Sequence, residues 1–270
     1  MKHVILNADD FAFNAATSRG IVTLAQQGRL SATSAMVLSP RWGQDVALLR
    51  ELRGHIDVGL HLDWTSPYAQ QASHGSGLKR AMLAAMLGGF NQAKARVVIE
   101  QQLDAFERVW QAPPSHIDGH QHVHQFKGIR DALVEVMARR YGALLADQKP
   151  YLRISKGPSD QFDLKTRVIA ALNSNAIKKI AIKANITPAT GLFGIYNFTG
   201  GEAAYASLMA RWLASAPSGI IIMCHPAQGD LDAGDVEDDI TAARQWEFDY
   251  LASDAFGQDL AAAGVALRVG

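Results

Sequence analysis

Four short segments concentrate the residue types that do chemistry. Asn7-Ala8-Asp9-Asp10-Phe11 sets two carboxylates side by side. Such a pair can divide labour, one carboxylate holding a metal ion and the other taking a proton from a metal-bound water. The same pair also suits a helix-capping turn. Gly59-Leu60-His61-Leu62-Asp63 closes an alternating run on His61, which can be a ligand or a satisfied structural imidazole. His116-Ile117-Asp118-Gly119-His120-Gln121-His122-Val123-His124 holds four of the nine histidines. In an extended chain its even-numbered residues would share one face. So many imidazoles together favour a metal ion or compensating carboxylates over a solvated histidine-rich turn. Gly119 is expected to break the strand there, so not all of them need converge. Met223-Cys224-His225-Pro226 puts a histidine, a candidate general acid, just past an apolar run, with Cys224 expected as a small core residue.

These segments need elements to position them. The chain alternates short β-like runs (residues 4–6, 31–38, 56–62, 115–118, 219–223 and 265–269) with helical ones (14–27, 43–53, 91–111, 128–141 and 201–216, and one or two more in the tail). Asn14 and Gly28 punctuate the first helix, and Pro113-Pro114 stops the long one. This rhythm predicts a parallel sheet covered by helices, with length and strand count suiting a closed or nearly closed barrel. All four chemical segments then fall at or just beyond the C-terminal ends of strands, the edge where parallel α/β architectures build active sites. Residues 66–90 interrupt the rhythm and could form a lid; residues 155–200 form a second, variable interruption.

Composition narrows the class. The 270 residues are 48% hydrophobic and 19% charged, which predicts a globular chain, read here as a single domain over residues 1–270. Twenty-six basic residues balance 26 acidic ones, so no long-range field for nucleic acid or acidic membranes is expected. One cysteine excludes an internal disulfide and any multi-cysteine metal site. The N-terminus turns polar too soon for a signal peptide, and no run of about 18 apolar residues is present, so a cytoplasmic protein without a membrane span is expected. Asp230-Leu231-Asp232-Ala233-Gly234 resembles the start of a calcium loop but lacks its third oxygen ligand. No phosphate-binding loop, dinucleotide fingerprint or serine nucleophile elbow occurs.

Taken together, the four segments, with Ser31-Ala32-Thr33-Ser34-Ala35-Met36-Val37 and a late Arg244, Glu247, Leu251 pattern, resemble the YdjC/ChbG-like carbohydrate deacetylases, the family that also holds the HpnK proteins. The resemblance runs over nearly the whole chain. It implies a distorted (β/α) barrel of mainly parallel strands, one divalent metal ion (magnesium or zinc foremost) and removal of acetyl groups from N-acetylated sugars such as chitooligosaccharides. By motif, Asp10, His61 and His120 would be the metal ligands. By similarity to the broader polysaccharide deacetylases, Asp9 would be the general base and His225 the general acid. A homodimer is also implied. Two departures stand out: Ala12 where the family usually has glycine, and Asp63 where asparagine or another residue is common.

Trp64, Arg153 and His124 are the candidate substrate contacts; Trp64 could stack on a sugar ring or pack in the core or rim. Arg153 could instead orient a catalytic carboxylate or, beside Tyr151, make a surface contact. Two other readings compete: a metal-dependent phosphoesterase using the same ligands, which would want more basic residues nearby, and a non-catalytic metal-binding protein.

Overall fold

The computed structural model describes residues 1–157 and 174–269. Residues 158–173, part of the variable segment 155–200, lie outside the described residues. The chain opens with β1 (Lys2–Phe11), α1 (Ala15–Gln26), β2 (Ala32–Ala35), α2 (Trp42–Arg50) and β3 (Asp57–Leu62). The expected lid region contains two helices, α3 (Pro67–Gln71) and α4 (Leu78–Met86). Then come α5 (Gln92–Trp110), β4 (His116–Gly119), a 3₁₀ turn (His120–Gln125), α6 (Ile129–Tyr141) and β5 (Tyr151–Leu152). The rest is α7 (Ser174–Lys183), β6 (Leu192–Phe193), α8 (Gly201–Ser215), β7 (Ile221–Cys224), α9 (Thr241–Ala252), α10 (Asp254–Ala263) and β8 (Val265–Leu267).

Local chemistry sets the element ends. Asn14 caps α1 by accepting the Thr17 N–H at 2.9 Å, and Gly28 at φ +66° follows its end. α5 buries Ala95, Ile99, Leu103, Phe106 and Trp110, a stripe at helical spacing, and stops where Gln111 turns left-handed before two prolines. β7 is buried along its whole length, as a central strand covered on both faces must be. Among the described residues, no helix is long and apolar enough to cross a membrane.

The strands form one sheet in the order β5-β4-β3-β2-β1-β7-β6, with β8 paired to the start of β1. Every strand pairing among the described residues is parallel. The sheet curls until its ends meet. The Leu152 N–H donates to the Thr187 carbonyl, the Ala189 N–H to the Leu152 carbonyl, and the Leu192 N–H to the Lys156 carbonyl. The result is the expected distorted barrel in a single α/β domain.

Strand alternation divides the side chains. Leu6, Ala8, Val58, Leu60, Ile117, Leu152, Ile222 and Cys224 face outward into the main core beneath the helices. Ile5, Tyr151, Leu192, Ile221 and Met223 pack together on the opposite, inner face. The residues in step with Ile5 on β1 are Asn7 and Asp9. The inner wall therefore becomes polar toward the C-terminal ends of the strands. Close packing there dictates one glycine: a Cβ on Gly59 would lie 2.3 Å from His116 Nε2.

Candidate active site

The expected metal and catalytic residues converge at that polar end of the barrel. β1 delivers Asp9 and Asp10, which are 3% and 1% exposed. β1 runs through Phe11, five residues beyond its apolar start at 4–6, because both aspartates face a pocket rather than bulk water. Asp10 and Ala12 both take left-handed backbone angles, φ 71° and 69°. The glycine common at the position of Ala12 in the resembled family would adopt that angle without strain.

Asp10 is held from two sides. Its Oδ1 lies 2.9 Å from His120 Nδ1 and 3.3 Å from His61 Nε2, while Arg244 Nη2 donates to its Oδ2 at 2.6 Å. Burial works against ionisation of Asp10, but Arg244 and His120 outweigh it and hold the carboxyl well below the usual range. His61 and Asp118 are direct partners across the β3–β4 ladder. His61 Nδ1 meets Asp118 Oδ1 at 2.6 Å, so the ring is oriented with Nε2 toward Asp10. Burial disfavours charge on His61, yet Asp118 and Asp9 raise its pKa to about 10. His120 is also raised against burial, by Asp10 first and by Asp63 more weakly.

Asp9 is gripped in one orientation. Arg153 donates to its Oδ1 at 2.6 Å and to its Oδ2 at 2.8 Å, and Asn7 Nδ2 donates to Oδ1 at 2.6 Å. Arg153 also reaches Asp118 Oδ2 at 2.8 Å, and Ser34 Oγ donates to the same oxygen at 2.6 Å. Asp118 was part of the histidine-rich segment, but its role emerges only here: it orients His61 and shares the Arg153 charge. Opposite, the His225 backbone N–H donates to Glu247 Oε2, and His225 Nδ1 lies 3.7 Å from Glu247 Oε1. Tyr196 donates to that Oε1 at 2.8 Å, and Phe198 packs edge-on against the His225 ring. Cys224 is a buried core residue, as expected.

Asp9, Asp10, His61, His120 and His225 all border one cavity of about 360 Å³. Leu78 and Met82 of α4 wall one part of it, and Ile195, Tyr196 and Phe198 another, so both interrupting segments contribute to the pocket. Asp238, Asp239 and Ile240 also border it, from the loop after β7.

Three expected substrate contacts do not border it. Trp64 is 3% exposed, packed in the main core with its ring edge-on to His74. His124 is fully buried and bonded through Nε2 to the Arg153 carbonyl at 3.1 Å. Arg153 is fully buried, and its guanidinium is committed to Asp9 and Asp118. A bulky ring in the core beneath the helices is absorbed by packing, and a long cation inside the barrel by pairing. Asp63 likewise spends its carboxylate on the backbone N–H groups of Thr65 and Ser66, each at 3.0 Å, and on the Ser66 hydroxyl.

Two groups of side chains among the described residues offer three ligand atoms within 4.8 Å of one another: Asp10, His61 and His120, and Asp9, His61 and Asp118. The second fits a cation poorly, because the Arg153 guanidinium already bonds both of its carboxylates. The first fits well. Asp10 keeps one oxygen for a cation while Arg244 holds the other, and His61 has its second nitrogen anchored on Asp118. Two imidazoles and one carboxylate leave further coordination positions for substrate and water.

A chitooligosaccharide deacetylase from Serratia marcescens is 27% identical over 272 residues, covering 98% of this chain and 97% of that one. A crystal structure of a candidate cellobiose-phosphate cleavage protein from Enterococcus faecalis has the same fold, with TM-score 0.71 and 19% identity over 99% of this chain and 97% of that one. A cobalt-bound family 4 acetyl xylan esterase from Clostridium thermocellum shares the fold more distantly, with TM-score 0.52 and 8% identity over 99% of this chain and 87% of that one. The family described as YdjC-like protein matches residues 3–262, so the chain belongs to the YdjC-like family.

Proposed function

We propose that this protein is a metal-dependent deacetylase that hydrolyses the N-acetyl amide of an amino sugar or a short N-acetylated oligosaccharide to acetate and a free amine. The observation that carries this reading is the convergence of Asp10 Oδ1, His61 Nε2 and His120 Nδ1 beside Asp9, with His225 on the same cavity. The name and full-length match of the Serratia relative support the substrate class. The donor chemistry suits zinc or cobalt better than magnesium, because imidazole is a borderline ligand and magnesium prefers oxygen.

Asp10, His61 and His120 would hold a divalent cation, which when bound would supply Lewis acidity toward the acyl carbonyl and lower the pKa of a water. Asp9 takes the proton of the attacking water. Its bidentate pairing with Arg153 fixes the direction of its lone pairs before substrate arrives. His225 holds a proton for the departing sugar amine, which as an amide anion is a very poor leaving group. Glu247 steadies His225 through the backbone N–H and lies beside Nδ1. The apolar wall of Ile195, Phe198 and Met223 helps keep bulk water from the reacting amide.

The test is acetate release from N,N′-diacetylchitobiose by chelated and by metal-restored protein, with nitrophenyl phosphate as a control. Metal-dependent acetate is expected. Phosphate release with no acetate overturns the reading in favour of a phosphoesterase. In the same assay Asp9→Asn is expected to keep its metal and lose turnover by a factor of about 10² or more; full activity removes Asp9 from the role of base. Asp118→Asn frees the His61 ring from its anchor. It is expected to weaken metal affinity about 10- to 100-fold by calorimetric titration, and unchanged affinity would mean that His61 needs no such anchor.

A further inference from the structure

His122 has no part in the reaction just described, yet it borders the same cavity as His61, His120 and His225. The backbone reaches it through two consecutive left-handed residues that are not glycine, Gln121 at φ 51° and His122 at φ 61°. A side chain with a Cβ resists that conformation, which persists where surrounding contacts impose it and clusters at functional sites. The contacts that impose it form a clasp between the 3₁₀ turn and the chain after β5. His124 Nε2 bonds the Arg153 carbonyl at 3.1 Å, Gln125 Oε1 accepts the Ser155 N–H at 3.1 Å, and Ser155 Oγ meets His122 Nδ1 at 2.9 Å.

The clasp orients the ring. The hydrogen bond between Ser155 Oγ and Nδ1 fixes the ring, and the tautomer sets whether Nε2 donates or accepts. Nε2 itself has no protein partner among the described residues, and the ring is 7% exposed where it borders the cavity. The site thus holds a polar atom with a fixed direction and no partner among the described residues. A pocket that recognises a sugar needs a few such fixed polar groups set among apolar walls.

Resting on the deacetylase reading, we propose that His122 binds the substrate through a hydrogen bond between its Nε2 and a hydroxyl group of the N-acyl sugar unit. The contact is separate from metal binding and from the proton transfers assigned to Asp9 and His225.

Two isosteric variants separate this role from a purely structural one in the clasp. Asparagine sets its amide where the imidazole has Nδ1, and glutamine reaches to where it has Nε2. Acetate release and calorimetric titration with N,N′-diacetylchitobiose are measured for wild type, His122→Gln, His122→Asn and His122→Ala, with metal content and Tm alongside. The expected result is that His122→Gln stays within about threefold of wild type, while His122→Asn and His122→Ala lose about 10-fold or more in kcat/KM, mostly through KM, at unchanged metal content. Activity retained by His122→Asn but lost by His122→Gln, with a lower Tm, assigns His122 to the clasp and overturns the contact. Equal activity in all four proteins also overturns it and leaves the deacetylase reading intact. Wild type that binds the sugar without releasing acetate overturns the deacetylase reading, and the binding series then decides the contact. Wild type that does neither overturns both.

Discussion

Replacing His120 with alanine is expected to remove bound metal and acetate release together, while the fold survives. The expectation rests on how lightly His120 is built into the core. Its side chain is 13% exposed and follows the end of β4 on the 3₁₀ turn, stacked on Phe13 and edge-on to His61. Its only hydrogen bond among the described residues is from Nδ1 to Asp10 Oδ1. Losing it removes one of three ligands without opening a large cavity. His61→Ala removes a ligand too, but it also strips Asp118 of a partner inside the barrel, so lost activity there could reflect damage to the fold. His120→Ala is the cleaner variant. Metal content per chain, circular dichroism and acetate release are measured on the same preparation. Native-like spectra with neither metal nor turnover are expected; retained metal with retained turnover would falsify the ligand assignment.

Much of the frame was legible because it depends on local patterns. Capping residues, prolines and apolar periodicity located α1, α5, α6 and α8 to within a few residues, and the triple isoleucine of residues 220–222 marked β7. The ligand candidates came from the family resemblance, because paired aspartates alone also suit a helix-capping turn and a lone histidine at a strand end also suits a structural role. The strands carrying them were harder to bound. Polar residues normally end an apolar strand pattern, but here Asn7, Asp9, Ser34 and Asp118 meet one another and Arg153 inside a barrel, where polar side chains satisfy each other. A one-dimensional pattern cannot distinguish that from a loop. The histidine-rich segment shows the same limit. Its even-numbered residues would share one face only if extended, and the left-handed pair after Gly119 sends His120, His122 and His124 to three different partners. Arg244 lies 234 residues from Asp10 in sequence. No spacing rule connects them, and only the family resemblance singled Arg244 out.

Arg153→Met is expected to cost the metal-free protein about 3–5 kcal/mol of stability, the range for breaking a buried ion pair from one side. The guanidinium is fully buried and lies 2.6–2.8 Å from both Asp9 and Asp118. Methionine matches much of its bulk, so the loss reports charge and hydrogen bonds rather than a void. Two carboxylates would then share a low-dielectric site with His61 as their nearest cation. Adding Asp9→Asn to Arg153→Met removes one of those charges and is expected to recover part of the loss, a coupling that denaturant unfolding of the four-member cycle measures directly. Arg153→Lys separates charge from geometry. An ammonium keeps the countercharge but cannot pair with both oxygens of Asp9 while also reaching Asp118, so stability should return further than turnover does. A methionine variant as stable as wild type would mean that Asp9 and Asp118 find their compensation elsewhere. Full turnover in the lysine variant would mean that Asp9 needs a nearby charge but no fixed orientation. If instead stability recovers and turnover does not, Arg153 acts on catalysis by aiming Asp9, and its burial is the physical reason that aim survives in the absence of substrate.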